Sequence, residues 1–188
     1  MGRVVYSMMV SLDGFVSTPD GSLDWVIIED EIHAFANAEQ ARVAVTVYGR
    51  GMWETMSPYW STADQNPGEP PVQVEFAKIW QASSKVVVSR SLEAAHGPNV
   101  RLVRGDGVDE VRRLAAETEG EIAVGGATLA ASLIRAGLVD ELRLYTHPVA
   151  IGAGKPYLPP GAPRQSLELV DTHDFATGVT YRAYRRRS

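Results

Sequence analysis

The sequence predicts an α/β protein in which a mostly parallel sheet carries helices on its faces and ends in an antiparallel hairpin. Three observations carry that reading: short β-branched runs alternate with stretches of helical spacing, glycines mark the passages from strand to helix, and the tail returns to plain alternation. Val4, Val5, Tyr6, Met8, Met9 and Val10 form a first strand closed by Asp13-Gly14, and Pro19-Asp20-Gly21-Ser22 is a turn. Ile32, Phe35, Ala36 and Ala38 recur at helical spacing. Glu29, Asp30 and Glu31 supply the negative charge that suits a helix N-terminus, so a helix is expected over 30–41. Val43, Val45, Val47 and Tyr48 make a strand that stops at Gly49, after which Met52, Trp53 and Met56 suggest a helical turn that Pro58 should end. Residues 61–75, with Pro67, Gly68, Pro70 and Pro71, read as an irregular surface loop.

Lys85–Ser89 and Val100–Val103 are strands, and Asp106 is positioned to cap a helix whose Val108, Val111, Leu114 and Ala115 face inward. Ile122-Ala123-Val124 is a buried strand ending in Gly125-Gly126. Leu129, Leu133 and Ile134 then mark a helix stopped by Gly137 at its C′ position. Leu142–Thr146 is a strand, and the stretches Ser166–Val170 and Thr177–Arg185 form the closing pair, with Val179, Tyr181 and Ala183 on one face.

Composition narrows the chemistry. The chain has 188 residues, 45% of them hydrophobic, and a formal net charge of −5. That length suits one domain, residues 1–188, able to bury about 70% of the surface exposed when unfolded. Cys 0 excludes disulfides, thiolate zinc sites and cysteine nucleophiles. Positive charge clusters only at Arg185, Arg186 and Arg187, so a nucleic-acid partner is not expected. No apolar run reaches the roughly 20 residues that cross a bilayer, and the N-terminus lacks a signal-peptide core, which points to a cytoplasmic protein without a membrane partner.

Two places carry the best site signals. Gly49-Arg50-Gly51 and Gly125-Gly126-Ala127 each stand between a strand and a helix, where bare N–H groups and a small residue favour an anion. Two such ends in one sheet suit a dinucleotide pyrophosphate, although glycine is common at such turns in any α/β protein. Arg50 and Ser89-Arg90-Ser91 offer the donors a ribose 2′-phosphate needs, or else make exposed ion pairs. Neither a GxGxxG motif nor a Walker A loop is present, since Pro156 follows Gly154-Lys155. Proton-handling groups are sought among Asp13, Asp24, Glu29, Asp30 and Glu31, with helix capping or turn formation as the alternative for each. His33, His96, His147 and His173 show no metal-binding spacing, so no metal is expected. Trp25, Trp53, Trp60 and Trp80 could stack a heterocycle or fill the core.

The order of motifs also resembles a known family. Ser11-Leu12-Asp13-Gly14-Phe15, Asp20-Gly21-Ser22-Leu23-Asp24-Trp25, Tyr48-Gly49-Arg50, Val88-Ser89-Arg90-Ser91-Leu92 and Gly125-Gly126-Ala127-Thr128-Leu129 resemble the dihydrofolate-reductase-like family. Gly137-Leu138-Val139-Asp140-Glu141-Leu142, Pro148-Val149 and Gly152-Ala153-Gly154-Lys155-Pro156 extend the likeness along the whole chain. The branch most similar is the C-terminal reductase domain of the bifunctional riboflavin-biosynthesis deaminase/reductase. The resemblance implies a three-layer fold with a mixed, mostly parallel sheet, flanking helices and a C-terminal antiparallel strand. It implies NADPH across the carboxyl edge, held by Gly49, Arg50, Gly51, Met52, Ser89, Arg90, Ser91, Gly125, Gly126, Ala127, Thr128 and Leu129.

It further implies a loop, 9–25, closing over the nicotinamide, and a small heterocyclic substrate between that loop, helix 30–41 and the strand before Pro148. Asp30 and Glu31 lie near the acidic position of classical dihydrofolate reductases, and with Asp13 they are the catalytic candidates. The absence of cysteine removes the zinc-binding deaminase half. The expected activity is hydride transfer to 5-amino-6-(5-phosphoribosylamino)uracil, with dihydrofolate reduction or non-catalytic NADP binding as alternatives, and a homodimer is expected from the family's habit of pairing.

Overall fold

A computed structural model describes residues 1–187. The strands are β1 (Arg3–Ser11), β2 (Phe15–Ser17), β3 (Val43–Gly49), β4 (Lys85–Val88), β5 (Val100–Val103), β6 (Glu121–Gly125), β7 (Glu141–His147), β8 (Lys155–Pro156), β9 (Leu167–Asp174) and β10 (Thr180–Arg186). The helices are α1 (Asp30–Gln40), α2 (Arg50–Trp60), α3 (Pro71–Ala82), α4 (Gly107–Glu117) and α5 (Ala127–Arg135). Eight strands form one sheet in the order β5-β4-β3-β6-β1-β7-β10-β9. The first six are mutually parallel, and β10 runs antiparallel to both β7 and β9.

Burial follows the pleat. On β1, Val4, Tyr6 and Val10 join a core with Val111, Leu114, Leu129 and Leu133 of α4 and α5. On the other face, Ile32 of α1 packs with Tyr145, Phe175, Tyr181 and Ala183, and Trp53 of α2 and Trp80 of α3 pack with Tyr48 and Val87. The result is helix, sheet, helix. The closing pair behaves as its alternation dictates, with Val179, Tyr181 and Ala183 all buried.

Four expectations need correction. Pro58 does not end α2; it sits in the last turn, where its missing N–H forfeits one hydrogen bond, and the helix continues to Trp60, whose ring lies 4.5 Å from Phe76. The span 61–75 is not all loop, because Pro71 opens α3 at a position whose N–H would be unpaired anyway, and Ala77 and Trp80 then face inward. β9 runs on to Asp174 rather than stopping at Val170, carried by pairing with β10. Finally, β2 and β8 pair as a small two-stranded ribbon across segments without a strand signal.

Candidate active site

Strands β3 and β6 are neighbours, with Tyr48 beside Gly125. The chain leaves them in opposite directions. β3 feeds α2, which packs toward Tyr48 and Trp80, and then moves outward to β4; β6 feeds α5 on the opposite face and passes β1 to reach β7. Such a divergence leaves a crevice at the carboxyl ends of the strands, where open α/β sheets hold ligands.

Both helices open on glycine at that crevice. Gly49 is the N-cap of α2 and Gly126 that of α5; neither helix has a side-chain cap, and neither carries an acid in its first turn. Their leading N–H groups therefore face outward without an internal partner, and their dipoles add positive potential. By contrast, α4 is capped by Asp106, whose carboxylate accepts from Val108 N–H at 2.8 Å, and it carries Asp109 and Glu110 in its first turn.

The glycines are dictated by packing as much as by any ligand. A Cβ on Gly125 would run into Tyr48 Cδ1, and Gly126 has φ +105°, with Met52 Cβ 3.2 Å from where its own Cβ would be. A Cβ on Gly49 would sit 3.4 Å from Leu129 Cβ. The two helix starts thus interlock through Met52 and Leu129. Gly51 differs: nothing lies within 4 Å of a Cβ there, so the first turn of α2 borders open space. Ala127 is buried beneath α5, and Thr128 is exposed at its start.

Arg50 lies exposed at the head of α2, donating to Ser91 Oγ and Glu54, each at 2.8 Å. Ser89 is buried, and its hydroxyl accepts from Leu92 N–H at 2.9 Å, so it shapes the turn that presents exposed Arg90 and Ser91. The arginine and the Ser89–Ser91 turn, 41 residues apart between Arg50 and Ser91, meet on one side of the crevice.

The acids divide differently. Asp13 accepts from Ser11 Oγ at 2.6 Å, Gly152 N–H at 2.7 Å and Ile151 N–H at 3.2 Å. The Ser11 hydrogen bond leads the effects that hold its carboxyl below the usual range. It therefore works as an ionised clasp between the loop after β1 and the loop after β7, rather than as a free proton donor. Asp30 and Glu31 lie exposed on the first turn of α1, with Glu31 3.6 Å from His173. Asp24 and Glu29 are exposed as well. Of the tryptophans, Trp53 and Trp80 stack in the core at 5.7 Å, with Trp80 Nε1 donating to Tyr48 at 3.0 Å, and Trp60 packs against His33 and Phe76. Trp25 stays at the carboxyl edge.

Beside Trp25 lies a residue that spacing arguments pass over. His147 ends β7, is fully buried, and accepts Ile27 N–H on Nδ1 at 3.2 Å. Burial pushes its imidazole below the ordinary histidine value. Its ring meets Trp25 edge to face, with centroids 5.5 Å apart. Neither His147 Nε2 nor Trp25 Nε1 has a hydrogen-bond partner among the described residues, though both atoms are buried. The available signal was position, since His147 is the last residue of a strand, directly before Pro148.

A sheet of this order, with two bare helix starts at its carboxyl edge, defines the dihydrofolate-reductase-like class. The fold is similar to dihydrofolate reductase from Enterococcus faecalis in complex with NADP(H), at TM-score 0.63 and 19% identity over 100% of this chain and 98% of that one. Within that class the chain belongs to the RibD C-terminal domain family, whose model matches residues 3–181. It is also similar in fold to a candidate riboflavin biosynthesis protein from Shewanella sp. PV-4, at TM-score 0.76 and 21% identity with both chains covered at 100%. A diaminohydroxyphosphoribosylaminopyrimidine deaminase/5-amino-6-(5-phosphoribosylamino)uracil reductase from Thermotoga maritima matches at TM-score 0.68 and 16% identity, over 99% of this chain and 57% of that one. In sequence, the uncharacterized protein YyaP of Bacillus subtilis is 29% identical over 183 residues, 97% of this chain and 94% of that protein. Family and fold together place the chain among RibD C-terminal domains with a dihydrofolate-reductase-like fold. No helix among the described residues is long and apolar enough to cross a membrane.

Proposed function

We propose that the protein is an NADPH-dependent reductase of a small heterocyclic substrate, with 5-amino-6-(5-phosphoribosylamino)uracil as the first compound to test. The observation that carries this reading is the pair of uncapped, glycine-opened helix starts on neighbouring strands β3 and β6. Their unpaired N–H groups and the open space at Gly51 fit a pyrophosphate. Gly49, Gly51 and Met52 on one side, and Gly126, Ala127 and Thr128 on the other, would hold it. Arg50, Arg90 and Ser91 form the basic flank suited to a 2′-phosphate, which is what separates NADPH from NADH. When bound, the nicotinamide supplies the hydride.

The chain's own contribution is placement. Asp13 clasps the loops after β1 and β7, so the carboxyl edge keeps a fixed wall on the substrate side. Segment 19–28 covers that side and shields it from water. Protons would come from water or from the exposed acids Asp30 and Glu31. The reading is tested by fluorescence titration with both nucleotides. Wild type should prefer NADPH, and Arg50→Ala should weaken NADPH about tenfold while leaving NADH nearly unchanged. Equal affinity for both nucleotides in wild type and variant would remove Arg50 from the site. Turnover with the aminouracil substrate and with dihydrofolate, measured as loss of NADPH absorbance, decides between those two acceptors.

A further inference from the structure

We propose that His147 and Trp25 form a two-donor subsite that holds a neutral ring carbonyl of the substrate and selects cyclic lactams, such as pyrimidinones, over their amino-substituted analogues. The inference rests on reading this edge as the substrate end of the reductase site. Its starting point is the tautomer. Ile27 N–H occupies Nδ1, so Nδ1 carries a lone pair and the ring proton sits on Nε2. Trp25 Nε1 is a donor by constitution. Two buried N–H groups on adjoining rings therefore point to no acceptor among the described residues. Leaving such donors unsatisfied costs about 1–3 kcal/mol each, which a bound acceptor would recover.

The chemistry of that molecule can be narrowed. A water would accept both hydrogen bonds but bring two donors of its own, and buried waters make about three hydrogen bonds. A carbonyl oxygen has two lone pairs and brings no donor, so it matches two N–H groups without remainder. No ion pair among the described residues involves either ring, and a neutral imidazole adds no charge, so the pair suits a neutral oxygen rather than a carboxylate or phosphate. The flat, apolar faces of the two rings suit a planar heterocycle.

Location and access agree. Ser11 of β1 lies beside His147 in the sheet, and β1 alone separates β7 from β6, whose end opens into Gly125-Gly126. Among the described residues, segment 18–28, apart from the hydrogen bonds of its own turn, bonds to the rest of the molecule only through Ile27 N–H on His147 Nδ1. Admitting a ring beneath that segment breaks a single hydrogen bond. His147 is then both the catch of the cover and the reader of the ligand.

The test uses two non-reducible probes of one shape, 5-aminouracil and 2,4,5-triaminopyrimidine, titrated calorimetrically with and without NADPH. Wild type should bind 5-aminouracil at least about tenfold more tightly, the equivalent of ~1.4 kcal/mol. His147→Asn keeps an acceptor for Ile27 N–H and drops the outer donor, and Trp25→Phe keeps the ring and drops Nε1–H. Each should erase most of the preference, and the double variant should lose little more than the worse single one, because both donors serve one oxygen. Thermal midpoints of the free variants should not fall, as a purely structural role would require. Equal binding of the two probes, no binding of either, or variants with unchanged preference overturns the subsite. NADPH affinity is read in the same titrations. Loss of NADPH binding alongside a His147-dependent preference for 5-aminouracil would sink the reductase reading and leave the subsite standing.

Discussion

The two ends of the parallel strands solve opposite problems. At the amino end, Arg143 is buried yet touches three carboxylates, Glu39 at 3.0 Å, Glu121 at 2.8 Å and Glu141 at 2.7 Å, while Arg185 reaches Glu141 at 2.9 Å and Arg3 pairs with Glu121. Tyr145 donates to Glu39 Oε2 at 2.9 Å, and Tyr181 donates at 2.8 Å to Oε1, the oxygen that Arg143 also contacts. Burial alone would push the guanidinium down, but the Glu121 hydrogen bond and the charge of Glu39 hold it well above its ordinary value. At the carboxyl end the pattern reverses. The starts of α2 and α5 lack side-chain caps, unlike that of α4 at the same end, and the N–H groups of His147 and Trp25 lack acceptors among the described residues. The amino end pairs its buried charges internally, with Arg3 Nε and Glu121 Oε2 left without a partner among the described residues, whereas the carboxyl end presents bare N–H groups to a ligand.

The largest effect should come from breaking the charge network at the amino end. Arg143→Met leaves Glu39, Glu121 and Glu141 facing one another in a buried site, and removing one partner of such a network costs about 3–5 kcal/mol. Urea unfolding should show that loss, while the folded fraction keeps NADPH affinity within about twofold, because the network and the crevice lie at opposite ends of the strands. A variant that folds normally but loses cofactor affinity would dissolve the distinction between the ends.

The glycines sharpen the same comparison within the carboxyl end. Gly125→Ala forces a methyl against Tyr48, a ring fixed by burial and by the hydrogen bond from Trp80, and should cost about 1–3 kcal/mol of stability. Gly51→Ala adds a methyl into open space and should leave stability almost unchanged, while weakening NADPH severalfold if phosphate occupies that space. The pair of measurements separates glycine kept for packing from glycine kept for a ligand.

How much of this was legible in the sequence depends on which interaction decided each element. Strands β1, β3, β6 and β7 and helices α1, α4 and α5 follow local periodicity, and their glycine stops fall where the chain turns. Helix α3 was hidden because Pro70 and Pro71 read as breakers, although a proline at the first helical position costs nothing. The Arg50–Ser91 meeting follows once the two segments are placed at neighbouring strand ends, whereas the clasp made by Asp13 depends on a loop more than 130 residues away. His147 was illegible as a functional residue because its chemistry arises from a tautomer set by Ile27 and from the absence of an acceptor, neither of which has a sequence pattern.

The smallest expected effect is a difference in the pH at which the two ends weaken. The folded-state pKa of His147 lies below the ordinary 6.5, so as pH falls through that value the unfolded chain takes up a proton first and stability declines. Protonation would also place an N–H on Nδ1 against Ile27 N–H, loosening the cover. Glu121 is pulled the same way for another reason: burial opposes its charge, but Arg143 and Arg3 outweigh that and hold its carboxyl below 4.5. Its contribution is present above that value and is lost as pH falls through its lower folded-state pKa. Unfolding free energies measured by urea should therefore fall in two steps, the first setting in as pH falls through 6.5 from the carboxyl end, the second below pH 4.5 from the amino end. Each step has a limiting slope of ~1.4 kcal/mol per pH unit per proton. His147→Asn should erase the first step and keep the second; if both steps survive in that variant, the upper one belongs to another group.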